Sequence, residues 1–254
     1  MQPEIDIGPI TLQTFGLCFA LGFILAGVVL AKRFAELEKP ADWAYEMVFA
    51  ALIGGLVGAK IDYVIQHPGE AFFSGSGLVW FGGAIGGAIA VLGWARWRKI
   101  PMWEVCDIAA VPLAIGYAVG RIGCQLSGDG DYGIPWDGPW AMSYPDGTVP
   151  TTEEVHPTPI YEALAVGAIA YGLWRVRDAV STGMLFALYL VATGTERLLV
   201  EFIRRNDEVA LGLTQPQLIS IAMIVAGGSW IAVRVSRGDF KAPELPERSA
   251  PQRA

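Results

Sequence analysis

Long apolar stretches are the feature that most constrains the fold of this 254-residue chain. Crossing the hydrocarbon core of a bilayer takes roughly 20 mostly apolar residues, and lipid offers the backbone no hydrogen-bond partner, so each crossing segment must be a helix. The sequence therefore predicts an all-α integral membrane protein with about seven transmembrane helices. The predicted spans are residues 10–30, 44–65, 77–94, 105–126, 158–174, 183–203 and 213–233.

The composition agrees with a membrane protein and argues against other classes. Only 17% of the residues are charged, whereas soluble domains carry about 25%. Cys18, Cys106 and Cys124 are too scattered for a disulfide framework or a zinc site, so we expect no metal. The net charge of −7 argues against a nucleic-acid partner. No motif calls for a cofactor, and we expect none.

The distribution of lysine and arginine predicts the orientation in the membrane. Both residues follow the first, third and fifth spans and the seventh, whereas residues 66–76 and 127–157 contain neither. Because positive loops stay in the cytoplasm, the N-terminus is predicted outside and the C-terminus inside. Arg204 and Arg205 fall on the predicted outer side and so break the positive-inside pattern. Binding of a phosphate group by these arginines would explain the exception. The first 31 residues lack a basic region, so the first span is expected to be retained rather than cleaved.

The chain is predicted to have one membrane domain, residues 1–237, followed by a flexible cytoplasmic tail, residues 238–254. Residues 127–157 form the one long connection, rich in Gly, Pro, Asp and aromatic residues, and predict a small extracytoplasmic head between spans four and five. Glycines four residues apart in GGLVGAK (54–60) and GGAIGG (82–87) predict close helix packing.

Charged residues inside apolar spans are the strongest functional signals, because each costs at least about 2.5–3.5 kcal/mol to insert. Arg121 lies near the outer end of span four, and Lys60 lies about one turn from the outer end of span two. Either side chain can reach interfacial phosphate by snorkelling. Alternatively, Arg121 binds a phosphate through its bidentate guanidinium fork.

Two further motifs combine charge with helical spacing. In ERLLVEFIRR, Arg197, Glu201 and Arg204 follow i, i+4, i+7 spacing and are predicted to share one helix face as a cationic site. In HPTPIYE, Glu162 lies near the start of span five, where the helix dipole favours a carboxylate. The dipole does not account for His156, which precedes a proline at the mouth of the same span.

These motifs, in this order, resemble those of the prolipoprotein diacylglyceryl transferase family. The resemblance rests on GRIGC…GDGDYG, HPTPIYE, ERLLVEFIRR and LTQPQLIS, together with GAKIDYV and GGAIGG. It implies a multi-pass protein of the bacterial inner membrane. The implied reaction moves a diacylglyceryl group from phosphatidylglycerol to the lipobox cysteine thiol of a prolipoprotein signal peptide, and glycerol phosphate leaves.

The resemblance also implies roles for individual residues. Arg121 and Arg197 fall on the family's two essential arginines. The expected catalytic residues are Arg121, Arg197, His156 and Asp129. The expected substrate-binding residues are Lys60, Glu162, Tyr161, Glu201, Arg204, Cys124 and Gly123.

The chain departs from the family pattern at several positions. Cys124 replaces an asparagine, and Asp129 replaces a glutamate. Phe81 replaces a histidine before Gly-Gly, Phe15 replaces a tyrosine, and Lys60 replaces an arginine. Because phenylalanine cannot accept a proton, the base must lie elsewhere, at His156 or Asp129, or the field of the arginines alone must lower the thiol pKa.

Three functions remain open from the sequence. The first is a divergent diacylglyceryl transferase. The second is a relative on the same scaffold with a different acceptor or phospholipid. The third is a membrane transporter or lipid-binding protein without catalysis, since intramembrane charge and glycine-rich spans are typical of that class as well.

Overall fold

The computed structural model describes residues 1–67 and 79–240, and within them the protein is mostly helical. The helical prediction is confirmed; residues 77–78 of the predicted third span and residues 241–254 of the predicted tail lie outside the described ranges. The helices are α1 (Thr14–Glu36), α2 (Trp43–Gln66), α3 (Trp80–Arg98), α4 (Met102–Ser127), α5 (Thr158–Val176), α6 (Met184–Glu201) and α7 (Gln215–Ser236).

Within the described residues, three short antiparallel hairpins accompany the helices. They pair β1 (Glu4–Ile7) with β2 (Ile10–Gln13), β3 (Met142–Tyr144) with β4 (Thr151–Val155), and β5 (Glu208–Ala210) with β6 (Leu213–Thr214). The predicted starts of spans one and seven are therefore strands. Gly8 and Gly212 adopt positive φ values of 63° and 70°, which allow the tight turns that precede these helices.

The helix surfaces are those of a membrane protein. Four helices, α1, α2, α4 and α7, are long and apolar enough to cross a bilayer. The other three have 18 or 19 residues, or about 27 Å at 1.5 Å per residue. Large apolar side chains face outward along the bundle, including Ile24, Ile53, Ile89 and Leu164. Such surfaces are stable against lipid rather than against water.

Helices α2 and α3 pack through the two glycine motifs, as the sequence predicts. A Cβ added at Gly58 would collide with the carbonyl oxygen of Gly82, and one at Gly86 would collide with that of Gly54. The Gly82 N–H also donates to Asp62 Oδ2 at 2.9 Å. The glycines thus let the two backbones come into direct contact.

One end of the bundle carries the head and all three hairpins. The N-terminal segment is tied to this end, since Gln2 N–H donates to the Leu126 carbonyl at 3.0 Å. Residues 128–157 fold over it around a small core of Tyr132, Tyr144 and Val155, with the two tyrosine rings stacked at 4.9 Å. The connection after α6 joins the head through hydrogen bonding between Ile134 N–H and the Ile203 carbonyl at 2.8 Å.

The opposite end fixes the start of α6, the helix that carries Arg197 and Glu201. Asp107 on α4 accepts hydrogen bonds from Gly183 N–H at 2.6 Å and Phe186 N–H at 2.8 Å. A carboxylate at a helix N-terminus satisfies free amides and favours the helix dipole. The contact therefore holds α6 in register against α4.

We expect Gly58→Ala to destabilise the bundle by about 1–3 kcal/mol, because the added methyl group forces α2 away from α3. Thermal unfolding of the detergent-solubilised protein measures the change. Gly93→Ala on α3 is the matched control, since a Cβ there meets no atom within 4 Å in the described part of the chain beyond its own helix backbone. Equal midpoints for the two variants would contradict the close packing.

Candidate functional site

The charged residues singled out in the sequence converge at the head end of the bundle. Arg121 lies in the last two turns of α4, Glu162 in the first two turns of α5, and Arg197 and Glu201 at the end of α6. Arg204 follows α6, and Asp131 comes from the head. We refer to these six residues as the arginine–carboxylate network.

Glu162 is the centre of the network, and its side chain is completely buried. Its Oε2 pairs with Arg121 Nε at 2.5 Å, and its Oε1 pairs with Arg197 Nη1 at 2.6 Å. Arg204 Nη1 lies 3.6 Å from Oε1. One carboxylate thus joins α4, α5 and α6, which fixes the relative positions of two guanidinium groups.

Glu201 anchors the second side of the network. Its Oε2 pairs with Arg197 Nη2 at 2.9 Å. Its Oε1 accepts hydrogen bonds from Thr214 Oγ1 and Asn206 Nδ2, each at 2.7 Å. Arg197 is therefore held between two buried carboxylates, and the hydroxyl of Thr214 links the site to the start of α7.

Asp131 closes the network on the head side. Its two carboxylate oxygens pair separately with Arg121 Nη1 and Arg204 Nη2. Burial would raise the pKa of the Asp131 carboxyl, but the two guanidinium charges outweigh it and lower the pKa below its ordinary value. Thr158 Oγ1 donates to the Asp131 carbonyl at 2.6 Å.

Two sequence predictions about this network were wrong. Arg204 does not share a helix face with Arg197, because α6 ends at Glu201 and residues 202–203 form a turn. Arg204 instead forms an isolated bridge with Gly133 of the head. The site is also not cationic in the described residues, since three guanidinium groups face three carboxylates.

Asp131 pairs with Arg121, and Asp129, the second candidate base, lies beside Asp131. Asp129 Oδ1 accepts a hydrogen bond from Asp131 N–H at 3.3 Å. The Cys124 thiol and the carboxylates of Asp129 and Asp131 lie within 4.8 Å of one another. A resident metal does not suit these groups, because both oxygens of Asp131 already pair with arginines.

His156 belongs to an aromatic cluster beside the network. Its ring stacks on Trp136 with centroids 4.4 Å apart. Its Nδ1 lies 3.3 Å from the Tyr161 hydroxyl oxygen. The same oxygen accepts a hydrogen bond from Trp140 Nε1 at 2.7 Å. Burial lowers the pKa of His156, so the ring is neutral at neutral pH.

The remaining predicted residues lie on the neighbouring helices. Lys60 is buried in α2 with its ammonium 5.0 Å from the Tyr63 ring centroid. Gly123 packs α4 against α1, where an added Cβ would approach Cys18 Cβ to 2.9 Å. Phe81 lies in the first turn of α3. The substrate-binding roles of Lys60 and Gly123 stay predictions.

Sequence reasoning missed three residues of the site. Asp131 lies in the connection of residues 127–157, where no spacing distinguishes it from the other acids. Tyr117, one turn before Arg121, places its ring 5.1 Å from the guanidinium carbon. Glu196 Oε2 is buried and has no hydrogen-bond partner in the described part of the chain. The spacing of Tyr117 and Arg121 is a signal that would have found the tyrosine.

The fold and the site define a helical membrane protein that buries paired arginines and carboxylates at one end of its bundle. The family model described as "Prolipoprotein diacylglyceryl transferase" matches residues 3–233. The chain belongs to this family.

Curated relatives named phosphatidylglycerol–prolipoprotein diacylglyceryl transferase agree with this assignment. The protein of Clostridium tetani is 30% identical, over 89% of this chain and 95% of the relative. That of Vibrio vulnificus strain CMCP6 is 31% identical, over 94% and 95%. That of Dehalococcoides mccartyi is 31% identical, over 86% and 88%.

We expect Glu162→Gln to lower the stability of the protein by about 3–5 kcal/mol, because two buried guanidinium groups lose their shared charge partner. Thermal unfolding in detergent measures the loss. Glu153→Gln is the matched control, since Glu153 pairs with Arg205 on the surface and its side chain is 59% exposed; such pairs contribute about 0–1 kcal/mol. A Glu162→Gln midpoint near that of the control would contradict the central role of Glu162.

Proposed function

We propose that the protein transfers the diacylglyceryl group of phosphatidylglycerol to the lipobox cysteine of prolipoproteins. The observation that carries the proposal is the set of three arginines held at the head end of the bundle, in a chain whose relatives are named for this reaction. Those relatives align over nearly the whole chain. Neither a transporter nor a transferase with another acceptor is favoured.

We propose that all seven helices cross the bacterial inner membrane, with the head and the N-terminus outside and the C-terminus in the cytoplasm. Two observations support this topology. Residues 127–157 contain no lysine or arginine. The N-terminal hairpin lies at the same end of the bundle as the head, as the even number of helices between them, α1 to α4, requires.

The proposed reaction exchanges one bond for another. The thiol sulfur attacks the glycerol carbon that carries the phosphate ester, the carbon–oxygen bond breaks, and glycerol phosphate leaves with the electron pair. Charge develops on the departing phosphate, and guanidinium groups already held in place stabilise it without reorganisation. Arg121 and Arg204 face the head and would contact the phosphate, while Arg197 lies deeper in the network.

The thiol proton also needs an acceptor, and Phe81 cannot supply one. We propose His156 as the base, with Asp129 as the second candidate. The neutral ring of His156 has a free pair of electrons for the proton, and its stacking on Trp136 orients it. Lys60, Glu162, Tyr161, Glu201, Arg204, Cys124 and Gly123 are proposed to bind or position the substrates, including the signal peptide and the surrounding lipid.

Complementation of a bacterial strain depleted of its own transferase tests the function. The expected result is restored growth and a mobility shift of a lipobox prolipoprotein on a gel. A prolipoprotein with its lipobox cysteine changed to serine controls for other processing. A well-inserted protein that modifies no lipobox substrate would exclude the proposal.

We expect Arg121→Ala to reduce transfer by about 10²–10³-fold, the loss seen when a donor to developing negative charge is removed. Arg197→Lys is also expected to fail, because lysine keeps the charge but cannot join Glu162 and Glu201 through a planar fork. Purified protein, phosphatidylglycerol and a lipobox peptide provide the assay. Arg205→Lys, at an exposed pair with Glu153, controls for loss of an arginine. Near wild-type turnover by Arg197→Lys would indicate that simple charge is enough.

We expect the pH profile of transfer to depend on His156. Its pKa lies below the ordinary value of about 6.5, so the rate stays constant near neutral pH and falls only as acid protonates the ring. His156→Gln should lower the plateau by about 10²–10⁴-fold and remove the acidic limb. If the variant keeps both the rate and the limb, Asp129 is the base instead.

A further inference from the structure

Asp131 bridges two guanidinium groups in the way that a phosphodiester does. Oδ2 pairs with Arg121 Nη1 and Oδ1 pairs with Arg204 Nη2. The two unesterified oxygens of a phosphodiester are also separate acceptors, and arginine forks bind both kinds of anion. The place of the Asp131 carboxylate is therefore suited to a lipid phosphate.

Asp131 is the one acid of the network that is positioned to move. Its side chain is 31% exposed, whereas those of Glu162 and Glu201 are completely buried and belong to helices. Asp131 lies on a loop that follows two glycines at positive φ, Gly128 at 59° and Gly130 at 94°. Glycine has no Cβ to hinder a change of backbone conformation there.

Arg204 has hydrogen-bonding capacity that its protein partners leave unused. Its side chain is 6% exposed, and its Nε and Nη1 have no hydrogen-bond partner within residues 1–67 and 79–240. The nearest carboxylate oxygens lie 3.6 Å from Nη1 and 3.9 Å from Nε. Buried donors without acceptors are unfavourable, and an anion with more oxygens than a carboxylate would satisfy them better.

Charge balance decides how such an anion enters. The three guanidinium groups of the network already face its three carboxylates, and Glu196 adds a further acid to the site. A phosphodiester added to the intact network would therefore be an unpaired buried charge. Replacing Asp131 by the phosphodiester keeps the balance.

We propose that Asp131 is a built-in substitute for the headgroup phosphate: it occupies the phosphate site on Arg121 and Arg204 and is displaced when a glycerophospholipid phosphodiester binds. The identity of the lipid rests on the proposed function, but the anion site rests on the ion pairs themselves. In the lipid-free protein, Asp131 keeps both arginines in place. The binding of lipid displaces the Asp131 carboxylate from both arginines, with a change of backbone conformation at Gly130, and opens the site.

The first test measures lipid affinity. The full-length protein is placed in phosphatidylcholine nanodiscs and titrated with phosphatidylglycerol. Asp131→Asn removes the competing charge, and the affinity should rise by about tenfold or more, because the fraction of protein with an open site increases. Asp146→Asn removes an equivalent charge from an exposed position of the head and should leave the affinity unchanged. An Asp131→Asn affinity equal to or weaker than that of the wild type would overturn the proposal.

The second test uses the wild-type protein and does not depend on the folding of a variant. Hydrogen–deuterium exchange is measured for residues 128–133 with and without phosphatidylglycerol. Exchange should increase with phosphatidylglycerol, and an unchanged or decreased rate at saturation would contradict displacement. An equal increase with inorganic phosphate would show that the phosphate group alone displaces Asp131, and an increase with the lipid only would show that the lipid headgroup is required.

The outcomes separate this inference from the proposed function. Tighter lipid binding by Asp131→Asn without any transfer to a lipobox peptide would retain the anion site and exclude the transferase. Transfer by the wild type without tighter binding by the variant would exclude displacement alone.

Discussion

The ion pairs of Glu162 are the interactions on which the head end of the bundle depends. A completely buried carboxylate is stable only when opposite charge and hydrogen bonds replace the water that it has lost. Arg121 supplies this charge from α4 and Arg197 supplies it from α6, while Glu162 itself lies near the positive N-terminus of α5. Because each helix must present its charge at the same depth, this one carboxylate sets the register of all three.

The fixed register has a chemical consequence. A guanidinium group that is already oriented loses little further freedom when a phosphate binds, and it stabilises the charge of a leaving group without reorganising. Glu201 extends this order to the start of α7 through Thr214. The close contact of α2 with α3 lies apart from the network and depends on glycines rather than charge. The bundle is thus held by electrostatics at the arginine–carboxylate network and by backbone contact between α2 and α3.

The sequence predicted the helices and singled out Arg121, Arg197, Glu162 and Glu201. These signals are local: apolar length, or charge within or near a helix. Prediction from the sequence failed where the chain leaves a helix and changes direction. The i, i+4, i+7 spacing places Arg204 on the face of Arg197 only if the helix continues to Arg204. The helix ends at Glu201, and a turn carries Arg204 to the head. The sequence also did not single out Asp131, because this side chain reaches Arg121 and Arg204 from a loop with positive φ angles at Gly128 and Gly130, and no helical spacing marks it.

The network reconciles two opposed requirements. Each uncompensated arginine at membrane depth costs at least about 2.5–3.5 kcal/mol, so the lipid-free protein needs carboxylates beside them. A phosphate site needs positive charge that is not already paired. Three acids that stayed permanently on the three arginines would leave no such charge. Glu162 and Glu201 on helices meet the first requirement. In the displacement that we propose, Asp131 on its glycine-rich loop satisfies both, because it neutralises the arginines when no anion is bound and leaves when an anion of equal charge arrives.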